Sequence, residues 1–101
     1  MSEKRHRLAP LHPGRILKED LDDAGVRMNR LARDIRVPMN RVSAIVNGKR
    51  AITADTALRL ARYFGTSAQY WLNLQTAHDL QLATQESAAQ IERDVLPLSA
   101  A

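Results

Sequence analysis

The chain has 101 residues and a formal net charge of +4 at pH 7, a length that allows one domain with a single modest core. Aromatic residues are only 4% of the chain, so that core must be built from Leu, Ile, Val and Ala, which favours packed helices. The absence of cysteine excludes disulfides and thiolate metal sites, and without a signal-peptide run or the ~20 apolar residues of a membrane span we expect a cytoplasmic protein with no membrane partner.

Proline and glycine mark helix ends in the region of the first three predicted helices. Pro13 suits a first helical turn because its missing N–H would be unpaired there anyway, and Gly25 suits a left-handed helix end. A second helix is predicted over about 28–35 and a third over about 38–46. The apolar residues predicted to be buried on these helices are Ile16, Leu17, Leu21, Leu31, Ala32, Ile35, Val42 and Ile45.

A fourth helix is predicted from a cap at Thr53 to Gly65. Its residues predicted to face inward are Leu58, Ala61 and Phe64. A fifth helix starts from a cap at Thr66 or Ser67, and Thr66 with Gln69 has the form of a capping box. No Gly or Pro interrupts residues 68–96, which form one long helix or two shorter ones. No strand is predicted, so the fold class is all-α.

The second and third predicted helices have the spacing of small and apolar residues that is typical of a helix-turn-helix. Ala32 lies where the two helices would cross, and a larger side chain would push them apart. At about 100° per residue, the third helix turns one polar side away from the core, where it would meet base edges in the major groove of DNA. The predicted base-reading residues are Asn40, Arg41, Ser43, Ala44 and Asn47. Asn can pair with adenine, Arg with guanine, and Ala can touch a thymine methyl.

Positive charge is concentrated around this motif. Residues 1–62 hold 14 Lys/Arg against 7 Asp/Glu, whereas residues 63–101 hold 1 against 4. A one-sided cluster favours an anionic partner such as a phosphate backbone, although taken alone it fits a solvated face equally well. The residues predicted to bind phosphate are Arg27, Arg30, Lys49 and Arg50. Arg33 is left open between phosphate and an acidic partner. Residues 1–11 are interpreted as a flexible basic arm that carries Lys4, Arg5 and Arg7.

The fifth helix has apolar side chains around more of its circumference than one small core can cover. A helix that is apolar on two sides is buried on two sides. We predict that the same helix of a second copy covers the second side, giving a twofold dimer that reads half-sites about 34 Å apart. The predicted dimer-interface residues are Trp71, Leu74, His78 and Leu82.

Three stretches of this chain resemble a known family: His12-Pro13-Gly14, the run from Asn47 to Thr66, and Trp71-Leu-Asn-Leu-Gln75. Together they resemble the HigA antitoxins, also called the VapI type, of the wider XRE (Cro/C1-type) helix-turn-helix group. The resemblance implies a compact five-helix, lambda repressor-like domain, here assigned to residues 12–83. It also implies a homodimer that represses its own toxin–antitoxin operon and binds a HigB toxin, a RelE-like ribosome-dependent mRNA endonuclease.

Two positions depart from that family. Arg27-Met28 stands where a hydroxyl residue and Gln usually open the second helix, which removes an N-cap worth about 1 kcal/mol. Arg36 stands at a turn position often held by Gly, so a positive φ there carries a similar small penalty. Both changes add positive charge beside the presumed DNA face. Residues 84–101 are predicted to be a helical extension or tail, and extending the dimer, docking the toxin and fraying remain alternatives.

Other functional classes are less consistent with the residues. An enzyme would need a nucleophile with a base in reach, and Ser43 has no nearby His. The carboxylates of Glu19, Asp20, Asp22 and Asp23 are interpreted as a solvated face rather than a metal site. We therefore predict no enzyme activity, metal, cofactor or small-molecule substrate. The remaining alternatives are an antitoxin that regulates little and an orphan XRE-family transcriptional regulator without a cognate toxin.

Overall fold

The computed structural model describes residues 9–100, which fold into five α-helices and contain no strand. The helices are α1 (Pro13–Ala24), α2 (Met28–Ile35), α3 (Met39–Val46), α4 (Ala54–Phe64) and α5 (Ala68–Asp94), followed by a short 3-10 turn at Leu98–Ala100. The all-α, five-helix prediction is confirmed, and the long segment after Gly65 is one helix. Lys4, Arg5 and Arg7 of the predicted basic arm lie outside the described residues.

The helix ends follow local chemistry. The His12 Nδ1 atom accepts a hydrogen bond from the Gly14 N–H at 2.9 Å and caps α1. Gly25 and Gly65 end α1 and α4 in the left-handed conformation, at φ 68° and 73°, as predicted. Because that conformation strains any residue with a Cβ, glycine is favoured at both ends. Thr53 caps α4, as predicted, by accepting from the Thr56 N–H at 3.3 Å.

The cap of α5 is Ser67, whose hydroxyl accepts from the Tyr70 N–H at 3.0 Å. The alternative Thr66–Gln69 capping box does not form. Gln69 donates instead to Asn73 at 2.8 Å, and the Thr66 hydroxyl accepts from the indole N–H of Trp71 at 2.9 Å. Thr66 therefore anchors a core residue rather than the start of the helix.

All five helices contribute to one apolar core. Its fully or almost fully buried members are Leu17, Leu21, Leu31, Ala32, Ile35, Val37, Val42, Ile45, Ile52, Ala57, Leu60 and Trp71. The prediction that Leu58 faces inward is wrong, because its side chain is 64% exposed. Ala57 and Leu60, both 0% exposed, start the stripe that faces the core, and Ala61 and Phe64 continue it at helical spacing. Leu58 lies about 100° around the helix from Ala57, outside that stripe.

The long α5 helix packs mainly through its first half. Trp71 and Gln75 are its buried residues, and from residue 83 to residue 94 every position except Ser87 is exposed. None of the helices within residues 9–100 is long and apolar enough to cross a membrane.

Candidate nucleic-acid interface

The turn between α2 and α3 fixes how these two helices cross. Arg36 adopts the left-handed conformation at φ 62°, as its family position predicts. The N–H groups of Arg36 and Val37 both donate to the carbonyl of Ala32, so α2 ends in a closed turn. Ala32 itself is 5% exposed at the crossing. This geometry is that of a helix-turn-helix, with α3 as the candidate recognition helix.

An arginine on α4 supports this turn, and the sequence reasoning missed it. The Arg59 Nη1 atom donates to the carbonyl oxygen of Ile35 at 2.9 Å and lies 3.5 Å from that of Arg36. Carbonyls at a helix C-terminus lack partners inside the helix, and a cation there also complements the helix dipole. Arg59 therefore caps α2 from a neighbouring helix.

The outward side of α3 carries the predicted base-reading residues. Val42 and Ile45 are buried on its inward side. On the other side Asn40 and Asn47 are exposed, whereas Ser43 and Ala44 are half-buried. The Asn47 amide donates to the Ser43 hydroxyl at 3.3 Å. The structure thus brings these four residues to one exposed, small and polar face.

Arg41, the fifth predicted reader, lies at the edge of that face. Its side chain is only 28% exposed, and its Nη1 atom is 4.0 Å from the Asp55 carboxylate on α4. Its Nε atom is buried and has no hydrogen-bond partner within residues 9–100. The guanidinium therefore leans toward α4 rather than extending freely into solvent.

Of the four predicted phosphate contacts, Arg27 and Arg30 lie at the start of α2, and Lys49 and Arg50 follow α3 in the chain. Arg27 occupies the N-cap position of α2 without a side-chain cap, as expected. Arg27, Lys49 and Arg50 are exposed, and none of the three forms an ion pair within residues 9–100. Arg30 differs because its Nε atom lies 3.5 Å from the Asp34 carboxylate.

Arg33, for which phosphate contact and an acidic partner are both predicted as alternatives, pairs with an acid close by in the chain. Its Nε atom lies 3.5 Å from Asp34, its neighbour in sequence, and not against an acid on α1. Exposed ion pairs of this kind contribute about 0–1 kcal/mol, so Arg33 and Arg30 can exchange this partner for a phosphate at little cost.

The segment that follows α3 is anchored to α5 by a buried amide that sequence reasoning also missed. The Gln75 side-chain oxygen accepts from the Ile52 N–H at 2.8 Å, and its nitrogen donates to Asp79 at 2.9 Å. Gln75 is 7% exposed. A polar residue one turn after Trp71, on the side of the helix that faces the core, was the signal available in the sequence.

Two histidines pack beside this segment. The rings of His12 and His78 meet edge-to-face at a centroid distance of 4.9 Å, and His12 borders Gly48 at the end of α3. Burial lowers the pKa of His12, and the nearby His78 lowers it further. The pKa of Asp79 is lowered chiefly by its hydrogen bond with His78.

The four predicted dimer-interface residues do not share one environment. Trp71 is 0% exposed within a single chain, so it has no surface to offer a second copy and we correct its assignment from interface to core. The reason is that Trp71 belongs to the core cluster, where it contacts Phe64, while the exposed Tyr70 ring covers it from outside. Leu74, His78 and Leu82 are half-buried and keep part of their surface in solvent.

The acidic run on α1 is a solvated face. Lys18 pairs with Asp22 at 2.7 Å and Arg15 with Glu19 at 3.7 Å, both one helical turn apart and exposed. Partial burial raises the pKa of Asp20, and its acidic neighbours add to that shift. Across residues 9–100, no three His, Asp or Glu side chains are grouped so as to hold a metal ion.

The crossing of α2 and α3, the exposed polar side of α3 and its basic border define a helix-turn-helix protein. The chain belongs to the helix-turn-helix family HTH_3, whose profile matches residues 17–71. Virulence-associated protein I of Dichelobacter nodosus is 46% identical over 96 residues, covering 94% of this chain and 87% of that protein.

Solved structures of HigA antitoxins are similar in fold and sequence. An addiction module antidote protein of the HigA family from Coxiella burnetii has a TM-score of 0.85 at 50% identity, covering 89% of this chain and 99% of that one. The Pseudomonas aeruginosa antitoxin HigA, solved with the higBA promoter, has a TM-score of 0.85 at 43% identity, covering 88% and 98%. The resemblance to HigA antitoxins is confirmed.

Proposed function

We propose that this protein is the antitoxin of a type II toxin–antitoxin module, a dimeric repressor that binds the operator of its own operon and neutralises a RelE-like mRNA endonuclease. The observation that carries the proposal is the exposed, small and polar side of α3, together with the exposed cations Arg27, Lys49 and Arg50, which form no ion pair within residues 9–100. The Pseudomonas aeruginosa relative was solved with promoter DNA, which supports the same role here.

In this proposal the contacts with DNA divide into two kinds. Asn40, Arg41, Ser43, Ala44 and Asn47 meet base edges in the major groove and select the sequence. Arg27, Arg30, Lys49 and Arg50 bind phosphates, which supplies affinity and register but no sequence choice. Arg27 precedes α2 and Lys49 follows α3 in the chain, so the proposed phosphate contacts come from both ends of the motif.

The proposed dimer places two recognition helices on one duplex. The surface of α5 that a second copy would cover is formed by Leu74, His78 and Leu82. Trp71 is not part of it, because it is buried in the core. A twofold arrangement of this kind reads half-sites about one helical turn, or 34 Å, apart. A toxin would bind the same dimer elsewhere, and the HigA relatives support its identity as a HigB-like protein.

Fluorescence anisotropy tests the DNA-binding part. The purified full chain is titrated into a duplex from directly upstream of its own operon and into a scrambled duplex, at two salt concentrations. We expect operator binding about 10³-fold or more tighter than scrambled binding, weakening steeply with salt. Lys49→Ala should weaken binding to both duplexes alike. It should also reduce the slope of log affinity against log salt concentration by about 1. Equal, weak binding to both duplexes would contradict the proposal.

Two further measurements test the dimer and the toxin. Analytical ultracentrifugation should give twice the chain mass. For the toxin, each reading frame that adjoins this gene is expressed alone and together with the chain; we expect one of them to arrest growth alone and co-expression to restore it. If the protein is a dimer and binds the operator but no neighbouring reading frame arrests growth, the chain is an orphan regulator.

A further inference from the structure

One acidic residue touches both the recognition helix and the cap of the helix-turn-helix. The Asp55 Oδ2 atom lies 2.9 Å from the Arg59 Nε atom and 4.0 Å from the Arg41 Nη1 atom. Arg59 in turn donates to the Ile35 carbonyl at the end of α2. Asp55 therefore links a predicted base-reading residue to the frame of the motif.

We propose that Asp55 is a positioning residue for sequence recognition, which holds the Arg41 guanidinium at the edge of the reading face through the fixed guanidinium of Arg59. The inference rests on the proposed DNA-binding function and adds a residue on α4 to the determinants of its specificity.

The anchoring of Arg59 makes this arrangement more rigid than a surface ion pair alone. A lone exposed pair between flexible side chains contributes little. Here Arg59 makes a hydrogen bond to backbone at 2.9 Å and a second bond to Asp55 through its Nε–H. Asp55 also lies in the first turn of α4, where a carboxylate is favoured by the helix dipole. The carboxylate is thus fixed before Arg41 meets it.

The buried Nε atom of Arg41 is the second observation. It has no hydrogen-bond partner in the part of the chain that the structure describes. The side chain is also mostly covered, so the aliphatic part of Arg41 is already restricted. Ordering a flexible side chain on binding lowers the affinity by about 2- to 10-fold. A guanidinium that is held in advance avoids that loss at the base it reads.

Asp55 also acts on non-specific binding, in the opposite direction. Its carboxylate is exposed beside the DNA face, where it repels phosphates over distances of about 8–10 Å at ordinary salt. Removing the charge should therefore tighten binding to any duplex while weakening the choice of one base. A residue with only a structural role would not separate these two effects.

The test compares Asp55→Asn with Asp34→Asn by selecting duplexes from a randomised library and measuring their affinities. Both variants remove one negative charge, but Asp34 pairs with Arg30 and Arg33 and not with Arg41. We expect Asp55→Asn to reduce the base preference by about 2- to 10-fold at the half-site position that Arg41→Ala also relaxes. We expect Asp34→Asn to leave every base preference unchanged. Thermal melting of each variant excludes unfolding as the cause.

Combining Asp55→Asn with Arg41→Ala decides whether the first acts through the second. If it does, Asp55→Asn changes no base preference once Arg41 is absent. A parent protein that selects no sequence would refute the proposed function itself. Two results with a selective parent protein would refute only the role of Asp55. One is that the base preferences are unchanged by Asp55→Asn. The other is that Asp55→Asn reduces them equally whether or not Arg41→Ala is present.

Discussion

The backbone of Gly14 at the start of α1 lies directly against the carbonyl group of Ile45 in the recognition helix. A Cβ at Gly14 would overlap the Ile45 carbonyl oxygen and lie 2.7 Å from its carbonyl carbon. Gly14 is buried, so a side chain there could be accommodated only if α1 and α3 moved apart. The position of α3 is thus set partly by the absence of a side chain on α1.

Gly14→Ala should therefore displace α3 as well as destabilise the fold. Overpacking of this kind costs about 1–3 kcal/mol, measured as a lower urea midpoint. Gly65→Ala is the matched control, because it is strained at φ 73° but its Cβ would meet nothing within 4 Å. Both variants should lose stability, and only Gly14→Ala should also lose affinity for the selected duplex at a temperature where both are folded. Equal affinities would show that α3 does not depend on this contact.

Trp71→Ala should remove about 3–5 kcal/mol from the free energy of unfolding, because the side chain is fully buried. Tyr70→Ala provides the comparison, since Tyr70 is 40% exposed and meets the Trp71 ring edge-to-face at a centroid distance of 5.1 Å. We expect it to cost about 0.5–1.5 kcal/mol. Urea denaturation measures both. Equal losses for the two variants would contradict the assignment of Trp71 to the core.

Gln75→Leu should destabilise the protein by about 1–3 kcal/mol, because it leaves the buried Ile52 N–H without a partner. Gln69→Leu makes the same change at an exposed position of the same helix, where we expect an effect within about 0.5 kcal/mol. Chemical denaturation distinguishes them. In addition, the Ile52 amide should exchange with solvent faster in Gln75→Leu, and an unchanged exchange rate would rule out the hydrogen bond.

Stability should fall as the medium becomes mildly acidic. Burial lowers the pKa of His12 below its ordinary value of 6.5, so the unfolded chain binds a proton more readily than the folded one. The contribution of neutral His12 to the stability of the fold is complete above pH 6.5 and is lost as the pH falls from there toward the folded-state pKa. Protonation at Nδ1 would also remove the acceptor of the Gly14 N–H.

Urea midpoints at about pH 7.5 and about pH 5.5 check this window. His12→Asn keeps a side chain that can cap α1 but does not titrate, so its midpoint should change less between the two conditions. His78→Asn removes the ring that meets His12 edge-to-face and serves as the comparison for loss of the ring contact alone. The same pH dependence in His12→Asn and in the parent would exclude His12 as the source.

The sequence predicts what local chemistry decides. Gly25, Gly65 and Thr53 mark helix ends because their effects act within one turn, and each position was predicted correctly. Which side of a helix is covered depends on neighbours far along the chain, and here prediction was less successful. Leu58 is an example: α4 has more apolar residues than the core can cover, and the sequence does not show that Ala57 and Leu60 are covered while Leu58 is left exposed.

The candidate site divides in the same way. The outward side of α3 follows from helical projection alone, so the exposure of Asn40 and Asn47 on that side is predictable from the sequence. Arg59 and Asp55 act across 24 and 14 positions of the chain, on Ile35 and Arg41, and no local pattern indicates such partners. Trp71 was assigned to an interface because α5 is apolar on two sides, and only the packing shows which side holds the indole.

The exposed second half of α5 divides the molecule into regions of unequal local stability. Residues 83–94 have no buried side chain, and a helix segment of that length is marginal on its own in water. It should open and close without unfolding the rest of the protein, whereas α1 to α4 open together. Its amide protons would then exchange early, and a slower exchange there on adding a protein ligand would locate contact on this segment at single-residue resolution.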